Sequence, residues 1–395
     1  MSKRKMKDSG VEWLGEIPAE WGVMRLRFLV DITTGNRDTQ DADPEGEYPF
    51  YVRSPIVQRC NGYTFEGPGI MMAGDGAGAG RIFHLATGRY AVHQRVYRLY
   101  DFKGIDKTFL WYYLGVSFPN EMDKGSAQST VPSVRLPMLQ NLPAVVPALP
   151  VQRKIAEYLD ARCAKIDEMI SDAKKTIEEY KAWKSSVIFE AVTGKCKIEN
   201  GECKIGGWAM RESGVEWIGM IPEGWRVNRV KRIVRVENGS DPLTEGSIPV
   251  YGSGESSFKT CGEFKEGPTV LLGRKGATLH IPHYIEGRYW NVDTAFDVRM
   301  KGNDNLRWFY YLAISFDYKA YISKTTLPSM TQSNYNNMHV PHPPVTEQCA
   351  IAAFLDKKCA AIDRVIAEKE SLIADLESYK KSLIFECVTG KMEVA

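Results

Sequence analysis

Gln152-Arg-Lys-Ile-Ala-Glu-Tyr-Leu-Asp-Ala-Arg-Cys-Ala-Lys-Ile-Asp167 returns as Gln348-Cys-Ala-Ile-Ala-Ala-Phe-Leu-Asp-Lys-Lys-Cys-Ala-Ala-Ile-Asp363, displaced by 196 positions. The same displacement aligns Phe189-Glu-Ala-Val-Thr-Gly-Lys195 with Phe385-Glu-Cys-Val-Thr-Gly-Lys391, so the match runs without a gap for 44 residues. A second echo stands earlier in each half. Asp8-Ser-Gly-Val-Glu-Trp-Leu-Gly-Glu-Ile-Pro-Ala-Glu-Trp21 recurs 204 positions on as Glu212-Ser-Gly-Val-Glu-Trp-Ile-Gly-Met-Ile-Pro-Glu-Gly-Trp225. Two tryptophans in a fixed frame and a long gapless match make this chain two copies of one unit.

Within the long match, apolar positions advance by alternating steps of four and three, the period of a coiled-coil seam. The first copy reads Leu159, Cys163, Ile166, Ile170, Ala173, Ile177, Tyr180, Lys184, Val187 and Ala191. The second reads Leu355, Cys359, Ile362, Ile366, Lys369, Ile373, Leu376, Lys380, Leu383 and Cys387. Prolines open both runs, at Pro147 and Pro150 and at Pro343 and Pro344, and Gly194 and Gly390 suit left-handed caps at their ends. A helix of about 40 residues is roughly 60 Å long, too long to bury its stripe on one small domain. The two are therefore expected to pair with each other. The chain crosses a whole domain between them, which permits an antiparallel pairing, with Lys184, Lys369 and Lys380 helping to set register. Equivalent helices paired in this way would create a pseudo-twofold and act as a ruler between two heads.

The heads, residues 26–146 and 230–342, read as mixed α/β. The fold class is thus α+β: two similar heads joined by two long helices. The expected division is residues 1–150, 151–195, 196–344 and 345–395, that is, tryptophan motif and head, helix, then the same again. Gly69-Ile-Met-Met72 and Thr269-Val-Leu-Leu272 look like buried strands, Arg95–Leu99 and Ala295–Arg299 like alternating ones. Phe109–Leu114 and Trp308–Leu312 suggest short packing helices.

Two loops per head are candidates for touching DNA. The first is Gly74-Asp-Gly-Ala-Gly-Ala-Gly80, followed by Arg81, and its counterpart Gly273-Arg-Lys-Gly276. Glycines let a backbone approach a phosphate. Arg274 or Lys275 can reach a phosphate or a guanine edge, and Asp75 can accept from the amino group of cytosine or adenine. A hairpin turn with solvated charges explains such a loop equally well. The second is Lys124-Gly-Ser-Ala-Gln-Ser-Thr130, where Lys124, Ser126, Gln128, Ser129 and Thr130 suit phosphate positioning. Its counterpart offers Lys324, Thr325, Thr326 and Ser329; an ordinary polar loop is the plain alternative. His93, Gln94 and Arg95 add hydrogen-bonding groups between the loops, though Arg95 suits a carboxylate as well, and Ser253 and His280 complete the candidates.

Composition bounds the rest. At 395 residues, 44% hydrophobic and 25% charged, the chain is an ordinary globular one. No run approaches the ~20 apolar residues of a membrane span, and the start has no apolar secretory core; a cytoplasmic location is expected. The net charge of +2 does not announce nucleic acid. Lys and Arg number fifteen against eleven acids in Arg226–Pro344 and twelve against twelve in Leu26–Pro150. The eight cysteines show no paired spacing and are expected to be free thiols. His280 with His283 and His339 with His342 have no acidic or cysteine set at zinc spacing, so no metal is expected. An adenine methyltransferase would need an Asn/Asp-Pro-Pro-Tyr/Phe tetrapeptide, and His342-Pro-Pro-Val345 lacks both ends.

Together these features resemble the specificity subunits of type I restriction–modification systems over nearly the whole chain. The carrying residues are Val11-Glu-Trp-Leu-Gly-Glu-Ile-Pro18 and its copy from Val215 to Pro222, and Pro343-Pro-Val-Thr-Glu-Gln348 with Ile351-Ala352 and Phe354-Leu-Asp356. The two Thr-Gly-Lys helix ends go with them. The first copy departs from the pattern at Ala148 and Val151. The resemblance implies two target-recognition domains, each reading one half of a bipartite site in double-stranded DNA. It implies two modification subunits, holding S-adenosylmethionine and methylating a flipped-out adenine, docked on the helices, and a restriction subunit joined to them. The chain itself would hold no cofactor and catalyse nothing. A protein scaffold that reads no bases is the competing interpretation.

Overall fold

The computed structural model describes residues 4–125, 132–254, 256–323 and 328–394, the side chains of 123–125 excepted. The chain forms two compact units, Met1–Ala173 with Ser371–Ala395, and Lys174–Glu370. Each takes one head, one tryptophan motif and a part of both long helices.

The helices span Leu149–Val192 and Val345–Thr389. In the first unit, Ile166 and Ile170 share a core with Leu383 and Cys387 from the far end of the other helix. Lys380 Nζ lies 2.7 Å from Asp167 Oδ1 and Oδ2. In the second unit, Ile188, Ala191 and Val192 share a core with Ile351, Leu355 and Cys359, and Lys184 Nζ lies 2.7 Å from Asp363. Within each unit, then, the early part of one helix lies beside the late part of the other, and the pairing is antiparallel. Two of the three expected register lysines make the ion pairs. With carboxylates more than half exposed, each is worth about 0.2–1 kcal/mol, so their role is alignment. Leu159, Ile177 and Ile362 are buried on the seam as well, whereas Tyr180, Val187, Ile366, Ile373 and Leu376 are half-buried.

Each helix start is locked to its own head by a buried glutamine. Gln152 Oε1 accepts from Asp106 N at 2.6 Å while its Nε2 donates to Pro147 O at 2.7 Å. Gln348 repeats this with Asn305 N and Pro343 O. Two turns on, Asp160 accepts from Tyr112 OH and Asp356 from Tyr311 OH, at 2.8 and 2.7 Å. The repeated Gln and Leu-Asp of the sequence are thus head-to-helix latches. At the helix ends Gly194 and Gly390 both adopt φ +73°, as expected of left-handed caps. A side chain there would also strike Pro222 and Trp225, or Pro18 and Trp21. The tryptophan motifs are therefore seated on helix ends: the first on the end of the second helix, the copy on the end of the first.

Each head carries two four-stranded sheets with one topology. In the first head, Asp31–Thr34, Val96–Tyr100, Gly69–Ala73 and Phe83–Ala86 lie side by side, all antiparallel. The second sheet runs Gln58–Cys60, Tyr48–Tyr51, Arg89–Val92 and Phe65–Glu66, its central pair parallel. The second head repeats both orders with Val234–Asn238, Ala295–Met300, Thr269–Gly273 and His283–Ile285, and with Lys259–Cys261, Ile248–Tyr251, Arg288–Asn291 and Lys265–Glu266. Gly69–Ala73 and Thr269–Gly273 are buried throughout, as their apolar runs predict.

Three expectations are corrected. Val96–Tyr100 and Ala295–Met300 do not alternate, because core clusters cover both faces of their sheets and each strand buries a charged residue, Arg98 or Asp297. The first aromatic helix is long, Lys107–Gly125, where its counterpart is Leu306–Ile314. Cys196 and Cys203 are not free. A hairpin, Cys196–Glu199 with Glu202–Ile205, turns at Asn200 and Gly201, brings their Cα atoms to 5.5 Å and joins them in a disulfide. The other six cysteines are free. Among the described residues, no helix is long and apolar enough to cross a membrane.

Candidate nucleic-acid interface

The two loops singled out in each head meet at a junction. In the first head Gly76 N donates to Pro132 O at 3.0 Å and Val134 N to Gly74 O at 2.7 Å. In the second, Gly276 N donates to Pro328 O at 3.1 Å and Met330 N to Arg274 O at 2.8 Å. Asp75 thus bridges to Ser133, and Lys275 to Ser329, at equivalent points. A third segment joins from the end of the buried strand pair. Gly74 N donates to Arg95 O at 2.9 Å and Arg274 N to Thr294 O at 2.7 Å. Shared backbone bonds therefore match Asp75 with Lys275, Gln94 with Asp293, Arg95 with Thr294, and His93 with Val292. The glycines are required here. Gly76 has φ +79° and Gly276 φ +115°, and a side chain on Gly74 would meet Arg95 O at 2.8 Å.

On this common backbone the side chains differ. In the first head Asp75 Oδ1 accepts from Arg53 Nη1 at 2.7 Å and Oδ2 from Arg95 Nη1 at 3.1 Å. Of the two readings open for Arg95, pairing with a carboxylate is the observed one. Both oxygens of Asp75, expected as acceptors for a base, each accept from an arginine. Arg53 escaped the sequence analysis. The repeat holds the signal that finds it: Tyr51 matches Tyr251, so Arg53 matches Ser253, which was a candidate. Ser253 itself donates to the backbone of Lys275, whose side chain is exposed. Arg274 Nη1 donates to Asp293 O at 3.2 Å and lies 3.9 Å from its carboxylate.

His93 is corrected as a DNA contact. It is buried beneath this cluster, its Nδ1 accepting from Arg95 N at 3.0 Å and its Nε2 within 3.3 Å of Thr39 Oγ1. Burial first, then the Arg53 charge, hold its pKa below the ordinary 6.5; it positions the turn as a neutral ring. Gln94 is exposed and donates to Asp38 at 2.9 Å. Arg81, exposed, lies in the turn closed by its N–H to Gly78 O, and His280, also exposed, has its ring beside Tyr318. Ser329 hydrogen-bonds Ser323 Oγ at 2.8 Å. The side chain of Lys124, and Ser126, Gln128, Ser129, Thr130, Lys324, Thr325 and Thr326, lie outside the described residues.

No group of three or more His, Cys, Asp or Glu among the described residues can hold a metal ion. His342 instead bonds Asp304 at 2.9 Å and Asn228 at 3.0 Å, and His339 accepts from Arg229. These histidines tie strands together.

Comparison with known proteins bears on the same arrangement. The family described as type I restriction modification DNA specificity domain matches twice, over residues 18–179 and 222–373. Similar full-length proteins include the type I restriction enzyme EcoDI specificity subunit of Escherichia coli, 20% identical over 96% of this chain and 90% of that protein. The MjaVIII specificity subunit of Methanocaldococcus jannaschii is 23% identical over 96% and 94%. Among solved structures, a chain from a study of complex assembly and conformational transition in a type I R-M system superposes with a TM-score of 0.70. It is 15% identical and covers 95% of this chain and 99% of that one. The HsdS subunit of Thermoanaerobacter tengcongensis gives 0.50 at 15% identity, over 98% and 100%. The chain belongs to the family of type I restriction–modification DNA specificity subunits.

Proposed function

We propose that each head reads one half of a bipartite DNA site and that the paired helices set the spacer between the halves. One observation carries this. In both heads the same three segments converge on one loop junction through equivalent backbone bonds, while the side chains there differ in charge and length. A constant frame with variable side chains suits recognition of unlike half-sites through base edges; a scaffold that reads no bases has no need of it. The chain itself is the non-catalytic member of its system. Two modification subunits dock on the helices and hold the S-adenosylmethionine, and a restriction subunit joins them, in the cytoplasm. Mapping N6-methyladenine in DNA of cells that make this chain with its modification partner tests the reading. The expected result is a two-part motif with a fixed gap. Methylation without such a motif contradicts it.

A further inference from the structure

The cluster at the junction of the first head is more than an ion pair, and its counterpart in the second head is its reversal. Asp75 is the least exposed member, its side chain 19% accessible against 43% for Arg53 and 64% for Arg95. Each arginine spends one terminal nitrogen on the carboxylate, and a guanidinium carries five donors in a planar fork. Two forks are thus held side by side by one acid, with donors to spare. In the second head the equivalent of Asp75 is Lys275. The guanidinium there, Arg274, stands on the glycine loop, and its acid, Asp293, on the adjoining turn. Carboxylate and guanidinium have changed places across the same junction.

We propose that Arg53 and Arg95, held by Asp75, are guanine-reading residues of the first head, and that Arg274 does this work in the second from the opposite side of the junction. The inference rests on the reading of each head as a DNA-half reader. A guanidinium fork matches guanine O6 and N7 in the major groove, the pairing that reads guanine directly. Asp75 lowers the formal charge of the cluster from +2 to +1, which weakens its pull on a phosphate anion while leaving the spare donors free for a neutral base edge. Asp75 is a positioning residue. Beneath it, the buried His93 fixes the turn that carries Arg95 through the Arg95 N–H. Because the guanidinium enters from different loops, the two heads meet guanine at different places in their half-sites, and one fold yields an asymmetric motif.

The test maps N6-methyladenine for the complete system with the wild-type chain and with Arg53→Ala, Arg95→Ala, Asp75→Asn and Arg274→Ala. The first three variants are expected to relax a guanine position in one half of the motif, with discrimination falling about 10- to 100-fold. The other half stays intact and reports that the complex is folded. Arg274→Ala is expected to relax the half that those variants spare. Arg53→Lys and Arg95→Lys keep the charge without the fork; they are expected to relax the same position and serve where an alanine variant fails to assemble. An unchanged motif in these variants overturns the inference. So does a uniform loss of methylation that low salt restores, the mark of a phosphate contact. A wild-type chain with no two-part motif would sink the reading of the heads themselves, which is a different outcome.

Discussion

The first head buries a cation where the second buries an anion. Arg98 and Asp297 occupy the same place on equivalent strands, opposite Met71 and Leu271. Arg98 donates to Tyr90 OH at 2.8 Å and stacks its guanidinium on Phe65 and Tyr100, 4.7 and 4.4 Å from the ring centroids. Asp297, wholly buried, accepts from Tyr289 OH at 2.8 Å and Thr269 Oγ1 at 2.6 Å, with Lys265 at 3.2 Å and Arg299 at 3.6 Å. Tyr90 and Tyr289 are the shared member. Around them Phe65 faces Lys265, Tyr100 faces Arg299 and Gly69 faces Thr269 in the alignment of the two copies. A side chain at Gly69 would meet Tyr90 Oη at 2.5 Å. The exchange is therefore complete on each side. Around the shared tyrosine, three positions that suit a buried guanidinium have given way to ones that suit a buried carboxylate. The heads share a backbone, and their cores are no longer interchangeable residue by residue.

Breaking one side of this exchange gives the largest effect. Asp297→Ala removes the carboxylate beside Lys265 and the acceptor of the buried Tyr289 hydroxyl, leaving Lys265 only Asn291 Oδ1 and Thr269 only Val298 O, at a cost of about 3–5 kcal/mol. Denaturant unfolding followed in the second unit measures it, and a loss below about 1 kcal/mol would show that Asp297 is not held as described. A smaller effect sharpens the contrast through pH. His93 and His84 in the first head both have pKa values lowered, chiefly by burial. The unfolded chain therefore binds protons that the folded head refuses, and stability is lost as pH falls below the ordinary imidazole value of 6.5. Unfolding curves between about pH 7.5 and 5, either side of the ordinary imidazole value, check this. His93→Asn, whose Oδ1 falls near the place of Nδ1 and can still accept from Arg95 N, is expected to flatten the slope, and a slope unchanged in that variant contradicts the assignment.

Much of this was legible in the sequence, and its limits have physical causes. The repeat and the heptad steps announced the helices and the capping glycines, because helix period and left-handed caps are local signals; the antiparallel pairing was expected from the domain that the chain crosses between them. The loops were legible as loops; that they join each other was not, since the cross-loop bonds are made by backbone groups that any residue carries. His93 looked like a base reader because a histidine in a polar turn reads as exposed, and only the packing under Arg53 and Asp75 buries it. Arg53 lay in an unremarkable strand end. The disulfide of Cys196 and Cys203 depends on a hairpin whose Asn-Gly turn was overlooked. The buried charges defeated the alternation rule for the same reason they are interesting: a charge enters a core only when several distant neighbours accommodate it.

Replacing residues 26–146 with a second copy of 230–342 tests the central claim most directly, because it exchanges a head together with the whole set of neighbours around its buried charge. If each head reads one half-site on a common scaffold, methylation mapping will return two copies of a single half-motif in place of two unlike halves. A motif that keeps its original two halves after the exchange would contradict the account.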